Sequence, residues 1–180
     1  MQPRAILLSL PAVLAACSGT MGVAQPPATY MPNVVSITPR LVTSGQPSTR
    51  ALADLGAQGF KAVVNVAPFV GAASVSEEAV IVSRQGLAYV NIPIKSSVPT
   101  ESDYLLFASV MGALAERKVL VHCQINVHAS SMVFLYRVIA AREDPRVAYE
   151  SVLKVWSPDG PWKTFIVLLL RKHEVQFEPD

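Results

Sequence analysis

Three short runs of branched apolar residues, KAVVNV at 61–66, LAYVNI at 87–92 and KVLVH at 118–122, alternate with stretches of helical spacing. KAVVNV is nearly continuous in apolar character, as expected for a strand covered on both faces. Ahead of it, VVSITPRLVT at 34–43 alternates loosely around Pro39 and predicts two short strands or a hairpin. Between the strands, Ser48 and Thr49 cap a helix expected over Thr49 to Gln58, with Leu52 and Leu55 on one face and Gly59 as its left-handed stop. Ser76 is placed to cap a second helix, with Glu77 and Glu78 opposing its dipole and Gly86 closing it. Thr100 and Asp103 form a shortened capping box ahead of Tyr104, Phe107, Val110, Met111 and Leu114, which keep helical spacing. Helices are also expected from about His128 through ASSMVFLYRVIAAR, at Pro145, and from Pro161 to about Lys172. Strands alternating with helices predict an α/β fold of three layers, a mainly parallel central sheet flanked by helices. Ligands of such folds bind outside the carboxyl ends of the strands, where Cys123 stands.

The chain has 180 residues, room for one domain with an ordinary core. Its hydrophobic content of 51% is raised by the N-terminus, where Arg4 precedes the apolar run AILLSLPAVLAA. That run is too short for a permanent membrane span and reads as a signal peptide over 1–16, with a rival cut after Ala24. Leu14-Ala15-Ala16-Cys17 resembles a bacterial lipobox, which implies lipidation at Cys17 and a protein on the periplasmic side of a bacterial membrane; cutting after Ala24 instead leaves it periplasmic or secreted. Each buried acyl methylene contributes about 0.8 kcal/mol to such an anchor. Residues 17–32 lack an apolar face and read as a tether, leaving 33–180 as the folded domain. The net charge of +2, with no basic run, argues against a nucleic-acid partner.

With Cys17 lipidated, Cys123 is the lone thiol of the mature chain, and a lone thiol is most simply a buried apolar filler. The segment HCQINVHAS suggests more. A strand ending in His122-Cys123 and a helix starting near His128 enclose a tight loop at a helix N-terminus, where amides and the dipole stabilise an anion. The expected phosphate ligands are the backbone of Gln124, Ile125, Asn126, Val127, His128 and Ala129. The same field favours a thiolate, the nucleophilic form of Cys123, and Ser130 is placed to donate its hydroxyl to the sulfur as a leaving group.

TSGQPS at 43–48, KAVVNV, YVNIPI at 89–94 with Pro99-Thr100, VHCQINVHAS, LYRV and WSPDGPW together resemble the protein tyrosine phosphatase superfamily, in particular bacterial beta-lactamase hydrolase-like phosphatase domains, over about residues 33–170. The resemblance implies a cysteine phosphatase-like fold, a phosphocysteine formed on Cys123, a loop-positioning role for His122 and bracing by Asn126, with no metal or other cofactor. It also exposes two departures. The arginine that grips phosphate in the family falls at Ala129, or at His128 in shorter-looped relatives. The loop that commonly carries the acidic aspartate reads Lys95-Ser96-Ser97, leaving Glu101, Asp103 and Asp159 as the nearest carboxylates.

His128, with an ordinary pKa of about 6.5, is a single-point substitute favoured by acid. Replacing the bidentate contact of an arginine costs on the order of a hundred- to a thousandfold in rate. Two readings follow: a phosphomonoesterase using Cys123, His128 and Ser130, or a catalytically silent module that binds a phosphorylated or other anionic ligand. Sulfur transfer through a persulfide on Cys123 is a third, opposed by the TSGQP and YVNIPI matches. Lys95 reads as a solvated loop lysine or as added charge at the mouth. Trp156 and Trp162 read as packing between the last helices, with an aromatic clamp as the alternative.

Overall fold

The structure is a computed structural model that describes residues 30–68 and 77–179. The signal segment, Cys17, most of the tether, most of the loop expected over 67–75 and the capping Ser76 lie outside the described residues. The first strands, β1 (Val35–Thr38) and β2 (Leu41–Ser44), form the expected hairpin across Pro39-Arg40. Next come α1 (Thr49–Ala53), β3 (Ala62–Asn65), α2 (Glu78–Ser83), β4 (Ala88–Asn91), α3 (Glu101–Ala113) and β5 (Val119–His122). The chain ends with α4 (Val127–Leu135), α5 (Pro145–Leu153) and α6 (Gly160–Lys172).

These strands form one sheet in the order β1-β2-β5-β3-β4, antiparallel at the β1/β2 hairpin and parallel elsewhere. Alternation along the central strands splits the core. Ala62, Val64, Val119 and Val121 pack with α3 to α6, while Val63 and Leu120 pack with Leu52, Leu55 and Val82 on the other face. Each fully buried aliphatic side chain contributes about 1.5–3 kcal/mol, which explains why such short strands suffice. The three-layer expectation holds.

Thr100 accepts from the Asp103 amide and Asp103 returns the bond to the Thr100 amide, a complete capping box. Ser48 caps α1 through the Ala51 amide, and Gly59 and Gly86 take positive φ of 82° and 74° at their turns. Three elements depart from expectation. α1 stops at Ala53 instead of Gln58, because the chain tightens into turns and the Gly56 amide is taken by the Gln85 side chain at 2.8 Å. α2 has Glu77 at its N-cap, without a side-chain cap bond. The long helix expected after His128 widens into a π-helical turn over Tyr136–Ala140. There the buried Arg137 bonds Glu143 at 2.6 Å, the Ala148 carbonyl and the Ser151 hydroxyl, linking α4 to α5.

Candidate functional site

The parallel strands end in register. Ser44, His122, Asn65 and Asn91 stand side by side across β2, β5, β3 and β4, so a polar row finishes an otherwise apolar sheet. Cys123 follows the central member of this row, and its amide donates to the Ser44 carbonyl at 3.3 Å. Asn126 then takes a left-handed conformation, φ 75° and ψ −6°, and α4 begins at Val127. Left-handed backbone is tolerated by asparagine better than by most residues, and it turns the loop sharply into the helix.

The first-turn amides of α4 have no intrahelical acceptors. Asn126 does not cap them with its side chain. Its amide group instead donates to the Asn33 carbonyl at 2.6 Å and to Thr43 Oγ1 at 3.1 Å, so Asn126 braces the loop against the N-terminal segment. The Asn33 side chain answers by donating to the Ile125 carbonyl at 2.9 Å. The N-terminal end of the helix field therefore meets the short loop that follows Cys123.

TSGQPS, read from sequence as a family likeness, is the mate of this loop. The Gln46 amide donates to the Gln124 carbonyl at 2.9 Å, and Gly45 pairs with Ile125 in an isolated antiparallel bridge. A Cβ at Gly45 would stand 2.7 Å from the Gln124 carbonyl oxygen and 3.0 Å from Ile125 Cα, both backbone atoms, so only glycine permits the approach. Residues before β1 join in: the Gly45 amide donates to the Pro32 carbonyl at 2.7 Å, and Ser48 to that of Tyr30 at 2.9 Å.

Around this frame, Cys123 has 0% exposure and belongs to the larger core cluster. Ala129 is equally closed at 0%. Ser130 donates its hydroxyl to the Val127 carbonyl at 3.1 Å, so donation to the Cys123 sulfur requires another rotamer. His128 is 6% exposed and stacks on Trp162, with ring centroids 4.7 Å apart and planes 10° from parallel. Burial pushes its pKa below the ordinary 6.5, so the ring is neutral at pH 7 and the acid needed to charge it lies further down than expected. Trp162 also donates its indole N–H to the Ser96 carbonyl at 2.9 Å, tying the Lys95-Ser96-Ser97 loop to α6. Trp162 is thus more than packing between the last helices, whereas Trp156 lies against the larger core cluster.

The carboxylates singled out from sequence are largely engaged. Glu101 pairs with Lys172 at 2.7 Å and Asp103 serves the Thr100 capping box, while Asp159 is exposed at the N-cap of α6. Lys95 is exposed beside Ser96. The carboxylate nearest to Cys123 in the bonding network is Glu78, which the sequence alone marks only as a residue opposing a helix dipole. Glu78 contacts His122 Nε2 through Oε1 at 2.5 Å, and its Oε2 accepts from Asn65 at 3.2 Å and Gln46 at 3.3 Å. Nothing local in the sequence marks this role, since Glu78 and His122 lie 44 positions apart. Among the described residues no group of histidine, cysteine and carboxylates is arranged to hold a metal ion.

A three-layer fold whose central parallel strand delivers a cysteine into a short loop at a helix N-terminus is the layout of the cysteine phosphatases of the protein tyrosine phosphatase superfamily. A family model described as DSP-PTPase phosphatase fused to NAD+ kinase matches residues 34–157, and the chain belongs to that family. It is similar to the beta-lactamase hydrolase-like proteins of Xylella fastidiosa, 31% identical over 112 residues, and of Agrobacterium fabrum, 32% over 111. These matches cover 61% and 60% of this chain but 26% of either relative, so the chain spans about a quarter of the length of the relatives it matches. Among solved structures, a candidate phosphatase of Shewanella putrefaciens superposes with a TM-score of 0.72 at 23% identity, covering 79% of this chain and 94% of that one. TpbA of P. aeruginosa, in complex with phosphotyrosine, gives 0.53 at 18% identity over 72% and 80%.

Proposed function

We propose that this chain is a pseudophosphatase: a phosphatase-fold module that holds a phosphomonoester or similar oxyanion on the Cys123 loop and turns it over poorly or not at all. One observation carries this reading. At the two registers where the family's guanidinium falls, Ala129 is closed in the core and His128 is a buried ring held neutral against Trp162. The loop amides and the α4 N-terminus still favour an anion, but the charge that would grow stronger in the transition state is missing. The full burial of Cys123 points the same way. The phosphotyrosine bound by TpbA supports the choice of ligand class.

Hydrolysis of an aryl phosphate between about pH 4.5 and 8, beside phosphate uptake followed by thermal shift, tests the proposal. We expect uptake without turnover in wild type, retained uptake in Cys123→Ser, and turnover raised on the order of a hundredfold over background in His128→Arg. Wild-type turnover at ordinary phosphatase rates that disappears in Cys123→Ser would make the protein an enzyme. Absence of any phosphate effect would remove the ligand.

A further inference from the structure

We infer, on the reading that the Cys123 loop holds the ligand, that Glu78 is the positioning residue of that loop, fixing the His122 ring from behind and anchoring the backbone at Cys123 and Gln124. Both partners are shut from solvent, Glu78 at 3% exposure and His122 at 0%. His122 Nδ1 lies 3.4 Å from the Cys123 carbonyl oxygen, and a carbonyl can only accept, so the hydrogen-bond network assigns a hydrogen to Nδ1. Nε2 faces Glu78 Oε1 at 2.5 Å, and a carboxylate oxygen likewise only accepts, so the network assigns a hydrogen to Nε2 as well: the ring donates from both nitrogens, to the Glu78 carboxylate and to the Cys123 carbonyl, and its orientation is fixed between them.

A second route runs through the other carboxylate oxygen. Gln46 donates its side chain to Glu78 Oε2 and its backbone amide to the Gln124 carbonyl. One carboxylate thus reaches the loop twice, through His122 to Cys123 and through Gln46 to Gln124. Asn65, which also donates to Oε2, adds the end of β3 and accepts the Ala67 amide on its own oxygen at 2.8 Å. A buried carboxylate is costly unless every lone pair is engaged, and here both oxygens are. The Tyr89 phenol, within reach of Asn65, is pushed above its ordinary pKa by burial and, second, by the charge of Glu78.

Imidazole nitrogen–proton correlation spectra of the full chain, with His128→Gln and His173→Gln to assign the three histidines, read the hydrogen placement directly. We expect His122 to carry slowly exchanging hydrogens on both Nδ1 and Nε2; a ring bare at either nitrogen lacks one of the two bonds and overturns the inference without any change at Glu78. In Glu78→Gln, amide exchange at Gln124 to Asn126 is expected to rise about tenfold or more relative to Val119 to Val121, with part of the protection regained in Glu78→Asp. Equal acceleration of strand and loop would reduce Glu78 to a contributor to stability and also overturn it. If wild type takes up no inorganic phosphate while these loop effects stand, the ligand reading fails and the positioning role survives.

Discussion

His128 takes the place of a cation yet is built into the protein as a neutral aromatic ring, and this sets how it responds to acid. Because burial lowers its pKa, the unfolded chain binds a proton near the ordinary 6.5 while the folded chain does so only at lower pH. The folded state therefore has its full stability above that value and loses it as the pH falls. Urea midpoints taken from about pH 7.5 down to about 5 should drop more steeply in wild type than in His128→Gln. A wild-type slope no steeper than that of the variant would mean the ring protonates freely where it stands. Cys123 and its loop were legible because their signal is local, a strand, a short loop and a helix start within one decapeptide. Glu78 was not, because its burial arises only when α2 packs over the ends of β3 and β5. The requirement for glycine at position 45 was hidden likewise, since the backbone that forbids a side chain there belongs to residues 124 and 125.

Among the elements, those whose limits are written in their own residues matched expectation. The hairpin, the core strands and the capped start of α3 needed only alternation, branching and a Thr-Asp pair. Because both halves of the capping box are made, Thr100→Ala should cost about 1 kcal/mol, read as a lower urea midpoint with an unchanged slope. A neutral result would mean that the start of α3 is held by tertiary contacts alone, including Glu101 with Lys172. α4 behaves differently. Its residues from His128 to Leu135 are all buried, so it has no polar stripe to mark its orientation, and where it widens at Tyr136–Ala140 the buried Arg137 takes its partners beyond the helix. No pattern inside the helix reports such a partner.

At the scale of the whole molecule, the larger core closes between α3 and the end of α6, where Tyr104 meets His173 edge to face at 6.1 Å. Burial pushes the Tyr104 phenol up to about 12, with Tyr136 adding to the effect and Arg142 opposing it. The folded chain keeps this phenol protonated while the unfolded chain ionises it near 10, so stability should fall as the pH rises from about 10 towards 12. Tyr104→Phe should flatten that limb of a chemical-denaturation profile, and an unchanged limb would place the alkaline sensitivity elsewhere. The bonds from Tyr30 and Pro32 to Ser48 and Gly45, and the pair between Asn33 and the Cys123 loop, have a mechanical meaning. A pull on the chain ahead of residue 30 is borne first by these contacts and only afterwards by the sheet. Tension from that end would therefore be felt at the Cys123 loop before the rest of the domain.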